Sequence, residues 1–325
     1  MAQPSINQVH IDAILTNISV AYMQRSENFI ADKVFPVVPV DKKSDRYFTY
    51  TKNDWFRDEA QRRADATESA GSGYNLSTAS YSADVWAFHK DVGDQTKANS
   101  DAPLNPLREA AEFVTQRLLL RREVQFVSDY MAASVWGKDY TGVASSPSTD
   151  EFVQWSDYAS SDPIEDVEGG KSQILSTTGF EANTLVLGYE VFRKLRHHPD
   201  IVDRIKYTSS SVVTSDMLAR MFEVDRVLVA KSIKATNNEG ATGAYAFNVG
   251  KVAWLGHVAP NPGLLTPSAG YIFSWTGVSG GLGQTIGVSQ IRMDSLKADR
   301  VEAEVAFDNK VVASDLGVYF ASVVA

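Results

Sequence analysis

Side chains that could do chemistry are few and scattered. There are five histidines, His10, His89, His197, His198 and His257, and no cysteine. Without cysteine there is no disulfide, thiolate metal site or cysteine nucleophile, which fits a reducing compartment. None of the histidines stands in a ligand spacing such as the H-E-x-x-H of a metal-binding helix. His197-His198 falls near the end of an expected helix, where a cationic imidazole interacts favourably with the helix dipole. Gly281-Leu-Gly283-Gln-Thr-Ile-Gly287 imitates a dinucleotide fingerprint, but its last glycine is displaced by one position. It has neither a clear strand before it nor a helix after it, so it reads as a flexible loop. There is no G-x-S-x-G elbow and no P-loop. Carboxylate pairs such as Asp166 and Glu168 are common in any acidic chain. A scattered carboxylate set is the one remaining route to acid–base catalysis. No catalytic, metal-binding or cofactor-binding residue is assigned.

Chemistry this sparse turns attention to the elements. The chain has 325 residues, 44% hydrophobic and 22% charged, enough for a sizeable core and more than one typical domain. No apolar run approaches the ~20 residues that cross a bilayer. Met1-Ala-Gln-Pro-Ser-Ile lacks the layout of a secretory signal. The expectation is a product that stays in the cytoplasm where it is made, or leaves by lysis, and meets no membrane. The net charge is −9, from 40 acidic and 31 basic residues. The basic clusters Arg62-Arg63, Arg121-Arg122 and Arg193 to His198 are interleaved with carboxylates. A dedicated nucleic-acid-binding face is therefore not expected.

Ile11 to Met23 has loose helical spacing. Val34-Phe-Pro-Val-Val-Pro-Val40 is apolar but carries Pro36 and Pro39, so it predicts an extended or edge segment. Such a strip needs a surface to lie on, in its own core or on a neighbouring copy. Arg46 to Thr51 reads as a strand, and Asp84 to His89 as its returning partner. Between them, Arg57 to Ser80 holds charges and small residues, with a tip at Gly71-Ser-Gly73. A segment this long without a core of its own is a projecting hairpin that must rest on something else. Asn105 and Pro106 open the clearest helix, which runs to Val135 and ends at Trp136-Gly137. Helices follow at Val167–Ser176, Tyr189–His197 and Thr214–Phe222. Strands are expected at Thr184–Leu187, Arg226–Ala230, Lys251–Leu255 and Gly270–Trp275. Alternation from Val301 to Phe307, a turn at Asp308–Lys310 and the run Val318–Val324 predict a C-terminal antiparallel pair.

Phe29 to Val40, followed by Lys42, Lys43, Ser44 and Tyr47, resembles the N-terminal signature of tailed-bacteriophage major capsid proteins. Asn105-Pro-Leu-Arg-Glu-Ala-Ala111 with Leu118 to Glu123 resembles the start of that family's spine helix. Asp299 to Val305 with Val311 to Gly317 resembles its terminal strands. The order of the elements matches as well, so the resemblance covers nearly the whole chain.

The resemblance implies an α+β Hong Kong phage-like capsid fold. An N-terminal arm would occupy 1–44, an extended β-hairpin loop 45–102, and the peripheral domain's spine helix 103–144. An axial domain would occupy 145–287, and the peripheral domain's C-terminal strands 288–325. It further implies a non-enzymatic subunit that joins copies of itself as hexamers and pentamers of an icosahedral shell around double-stranded DNA. Scaffolding protein and portal would be partners, together with a decoration protein in some members. The scaffold is expected to be separate or already removed. Assembly would occur in the host bacterial cytoplasm, and the product would reside in the virion. Lys52, Lys90 and Asn309 have the side chains of a family crosslink, but none is assigned to one. Contacts with neighbouring copies are expected from Trp55, Phe56, Arg57, Arg62, Arg63, Tyr74 and Leu76 of the loop, and from Val34, Phe35, Pro36, Val38 and Pro39 of the arm. Two rivals remain: an encapsulin-type nanocompartment shell and an uncharacterised α/β enzyme.

Overall fold

A computed structural model describes residues 23–100, 104–205, 213–263, 265–278 and 286–325. The helical reading of residues 11–23 and most of the glycine loop at 281–287 lie outside the described residues.

In chain order, the first elements are β1 (Val37–Val40), β2 (Ser44–Tyr50), the single-turn α1 (Lys52–Trp55), β3 (Leu76–Ser82), β4 (Asp84–Gly93) and α2 (Asp94–Ala98). The long helix α3 (Pro106–Tyr130) follows, then β5 (Lys138–Val143), β6 (Glu151–Val153), α4 (Pro163–Thr178) and β7 (Thr184–Gly188). Next come α5 (Tyr189–Leu195), α6 (Pro199–Ile205), α7 (Ser215–Met221), β8 (Arg226–Ala230), β9 (Ile233–Ala235) and β10 (Tyr245–Phe247). The last strands are β11 (Ala253–Gly256), β12 (Gly270–Trp275), β13 (Gly287–Met293), β14 (Ala298–Val311) and β15 (Gly317–Ala321).

Two sheets carry the fold. One has the order β1-β12-β14-β13, with β4 on the other side of β14; the second runs β6-β5-β15-β11-β7-β8. β1 lies at an edge, parallel to β12, where the missing proline donor does least harm. The helix α3 begins as its cap predicts, with Asn105 Oδ1 accepting from the Arg108 amide at 3.2 Å. It ends at Tyr130 rather than Val135. The Trp136 indole folds back and donates to the Tyr130 carbonyl at 2.7 Å, satisfying a terminal acceptor. The returning ring rests on Gly317, where a Cβ would stand 2.3 Å from it.

Strand pairing departs from the sequence reading in two places. The partner of β2 is β3, not Asp84–His89; β4 instead pairs with β14 over ten positions. A buried Ala83, whose N–H donates to the Lys43 carbonyl, separates the two runs. The expected C-terminal pair does not form either. β14 continues through Asp308–Lys310 to Val311, and β15 crosses into the second sheet between β5 and β11. The sheets therefore cut across the sequence boundaries at 144 and 287: β12 joins the first sheet, β15 the second.

The arm stitches these layers together. Phe35 lies among Tyr130, Trp254, Trp136 and Phe126, at centroid distances of 4.4, 5.2, 6.1 and 6.2 Å. The buried Glu123 of α3 accepts from the Ile30 and Ala31 amides at 3.0 and 2.9 Å and from Ser232 Oγ at 3.0 Å. From β8, Arg226 donates to the Lys33 and Val34 carbonyls at 2.9 and 2.8 Å. Val34 is fully buried and Phe35 is 2% exposed. Both are therefore spent inside their own subunit and cannot serve a neighbour, a correction to the expected arm contacts. Pro36 and Val38 are half-buried and Pro39 is exposed.

Candidate assembly surface

The hairpin β2–β3 is anchored at its base and bare at its end. At the base, Tyr81 stacks on Phe273 at 4.6 Å and Tyr47 on the same ring at 5.3 Å. The Ser82 amide donates to Asp308 at 2.7 Å. Further out, Lys52 pairs with Asp315 and the Phe56 ring reaches the turn at Gly179 that ends α4. The hairpin thus leans along its own body rather than projecting freely. Beyond those contacts, every residue from Trp55 to Thr78 is exposed.

The sequence-named residues form one constellation there. Trp55 and Tyr74 lie 5.6 Å apart, and both approach Tyr50, at 6.2 and 6.0 Å. Asp54 holds the two sides together by accepting from the Asn75 backbone and side chain at 2.8 and 3.1 Å. Trp55 is 55% exposed, Phe56 and Tyr74 are each 62%, and Leu76 is 52%. Large apolar side chains this bare in one place make the hairpin end the candidate interaction surface. Among the described residues Arg57 meets only Glu59, at 3.7 Å, and Arg63 donates to the Thr67 carbonyl. Arg62 has no partner among the described residues. Phe48, 58% exposed, and Tyr50 extend the patch. Sequence reading missed both, because aromatic residues in a strand-like run are ordinarily paid out to a core.

The same chain has an open sheet face. In the register of β4, β14 and β13, Glu302 lies beside His89 and Ser289, and Glu304 beside Ala87 and Gly287. These residues share the side away from α3. Val85 and Ile291 on that side are 40% and 44% exposed, and both glutamates are half-exposed without an ion-pair partner among the described residues. At the end of this sheet, Arg292 binds Asp94 and Asp299 at 2.6 and 3.2 Å. Lys97 also binds both carboxylates, and hydrogen bonds from Arg292 and Lys97 hold Asp94 well below the usual carboxylate range. The corner is fixed; the face beside it is uncovered.

One group imitates catalytic machinery. Ser161 Oγ lies 3.0 Å from His198 Nε2, and Asp200 stands 3.6 Å from Nδ1. The protons run the wrong way for a nucleophile. Nδ1 accepts from the Asp200 backbone amide at 3.4 Å, placing the ring proton on Nε2, while Ser161 Oγ donates to the Asp157 carbonyl at 2.5 Å. Burial holds the imidazole below its ordinary pKa. His198 is therefore a neutral cap for α6, not the cation at a helix end that the sequence led us to expect. Among the described residues no group of three or more histidines and carboxylates could hold a metal.

No family model matches the chain. The major capsid protein of Burkholderia phage BcepMu is 26% identical over 241 residues, covering 74% of this chain and 75% of that one. A phage-related protein from Bordetella bronchiseptica RB50 superposes with a TM-score of 0.67 at 22% identity, over 92% of this chain and 94% of that one. The capsid protein of cyanophage P-SCSP1u does so with a TM-score of 0.61 at 10% identity, over 98% and 95% of the two chains. In sequence the chain is similar to phage major capsid proteins, and its fold is the Hong Kong phage capsid fold.

Proposed function

We propose that this chain is the major shell subunit of a tailed-phage head, closing as hexamers and pentamers around double-stranded DNA and catalysing nothing itself. The observation that carries the reading is a complementary pair of surfaces on one chain. The hairpin end offers bare aromatic rings and the side chains of Arg57, Arg62 and Arg63. The open sheet face offers Glu302, Glu304 and exposed aliphatic groups. Within one copy these arginines find Glu59 and a backbone carbonyl, not the sheet glutamates. In an assembly the hairpin of one copy would lie across the sheet of the next, with Pro36, Val38 and Pro39 as a second strip of contact.

In this reading α3 and the five-stranded sheet form the peripheral unit, and the six-stranded sheet with its helices the axial unit at the centre of each capsomer. Assembly in a host cytoplasm, on a separate scaffold and around a portal, fits the same picture, with a decoration protein as an optional addition. A nanocompartment shell has the same architecture with enzymes inside. Sequence similarity to a phage major capsid protein favours the DNA-filled reading.

Each copy should bury well over the ~1,600 Å² of a standard interface, summed over its neighbours. The test is particle formation, by light scattering and negative-stain microscopy of the purified protein with and without scaffold. Closed shells of uniform size are expected, and nuclease-protected DNA in shells from infected cells. A sharp monomer under every condition, or shells filled with protein cargo, would overturn the reading.

A further inference from the structure

The seam where α3 packs on β4 holds three cations that the sequence distributes over two distant segments. Lys90 Nζ and the Arg117 guanidinium lie 5.4 and 5.1 Å from the centroid of the same ring, Phe113. One helical step further on, Arg121 lies 4.0 Å above Trp86. None of the three forms an ion pair with a carboxylate among the described residues. Arg121 donates one Nη to Gln125 at 2.8 Å and its Nε is buried without a hydrogen-bond partner, so only the rest of its guanidinium can face a ligand. The nearby acids are committed or turned away: Glu112 pairs with Arg108 at 3.0 Å, and Asp91 pairs with Arg300 at 2.8 Å on the opposite face of the sheet. Glu109, one turn before Phe113, is a further acid on α3. In a chain of net charge −9, three neighbouring cations left without carboxylates are an unsatisfied electrostatic feature.

We propose that Lys90, Arg117 and Arg121 form a contact strip for the phosphate backbone of duplex nucleic acid, a proposal that rests on the shell reading above. Stacking on aromatic rings holds the cations in place at little entropic cost. Arg117 and Arg121 are four residues apart, about 6 Å along the helix. Phosphates on one strand advance ~3.4 Å along the duplex axis while also turning about it, so the separation of neighbouring phosphates is close to that of the two arginines. A flexible acidic polypeptide has no such fixed spacing. Single strands bind through bases stacked on bare aromatic faces, whereas Phe113 and Trp86 already carry cations.

The test measures binding of the full-length subunit to a short labelled duplex by fluorescence anisotropy across a potassium chloride series. Wild-type binding should be weak, in the ~10⁻⁴–10⁻⁶ M non-specific range, with a log–log salt slope of about −2.7, roughly 0.9 per phosphate neutralised. Arg117→Gln and Lys90→Gln change exposed or half-exposed side chains. Each should make the slope shallower by about 0.9 and weaken binding about fivefold at physiological salt. Arg121→Gln should do the same, provided its circular dichroism and unfolding midpoint match wild type. Wild-type slopes in the Lys90 and Arg117 variants overturn the strip. So does displacement of duplex by polyglutamate at equal charge concentration, or single-stranded DNA binding as tightly as duplex. Negative-stain images of the same variants separate the two claims: normal shells with an unchanged slope refute only the strip, whereas a wild type that never forms shells refutes only the shell reading.

Discussion

Asp166 lies on the first turn of α4, and the buried Trp155 indole donates to its carboxylate at 2.8 Å. Burial dominates that hydrogen bond, and Asp162 and Glu165 add repulsion, so the group titrates at about 6 instead of 3.8. Because the folded value is the higher one, the folded chain keeps a proton that the unfolded chain has already released between about pH 4 and 6. Stability therefore declines as pH rises through that window. Asp166→Asn keeps an acceptor for Trp155 and carries no charge to desolvate. The variant should match wild type near pH 4 and unfold at higher urea near pH 7. Urea midpoints across that range check this, and parallel pH curves for the two proteins would contradict it. Burial also raises the pKa of Glu123, against the pull of the Ala31, Ser232 and Ile30 hydrogen bonds. The Glu123 side chain closes the arm onto the long helix: replacing it with an apolar side chain would strand two buried amide donors, at about 1–3 kcal/mol for each.

At the scale of the element, the hairpin divides into a part that folds and a part that waits. β2 and β3 pair from Ser44–Ser82 to Tyr50–Leu76, and their base is locked by Tyr47, Tyr81 and Phe273. A shortening that leaves the fold intact must therefore spare Leu76–Ser82 and replace only residues 57–73 with a tight turn. Loop entropy changes by only about 0.6 kcal/mol per doubling of length, so the unfolding free energy should stay within about 1 kcal/mol of the parent. Assembly should fail, or give shells that break at lower heat or denaturant. In the parent's unassembled subunit, protease should cut first within 57–73, where no backbone is buried. Shells of normal resistance from the shortened chain would mean that residues 57–73, with Arg57, Arg62 and Arg63, are not part of an intersubunit clamp.

At the scale of the whole molecule, small contacts gain force by repetition. An exposed arginine–glutamate pair is worth only about 0–1 kcal/mol, but in a closed shell every subunit makes it, and every subunit loses it together. Arg62→Glu combined with Arg63→Glu should abolish particles while leaving the subunit folded. Adding Glu302→Arg and Glu304→Arg should restore them, because the charges are exchanged rather than removed. Light scattering of the double and quadruple variants reads the outcome. Particles from the double variant, or none from the quadruple, would separate these arginines from these glutamates.

The sequence by itself determined what is local. Asn105-Pro106 marked the start of the spine helix because a cap acts within one turn, and Pro36 and Pro39 marked an edge because each removes a ladder donor. The run Arg226–Ala230 and the run Gly270–Trp275 are strands with the bounds their side chains predicted. The bare aromatics of the hairpin were legible because their segment offered no core. Tertiary structure decided the partners. Alternation specifies a face of a strand, not its neighbour, so β4 could leave the hairpin for β14, and β15 could leave β14 for the other sheet. The same limit hid the burial of Val34 and Phe35 between helix and sheets. It also hid the strip at Lys90, Arg117 and Arg121, because periods of 2 and 3.6 residues carry no information about which distant segment will lie alongside.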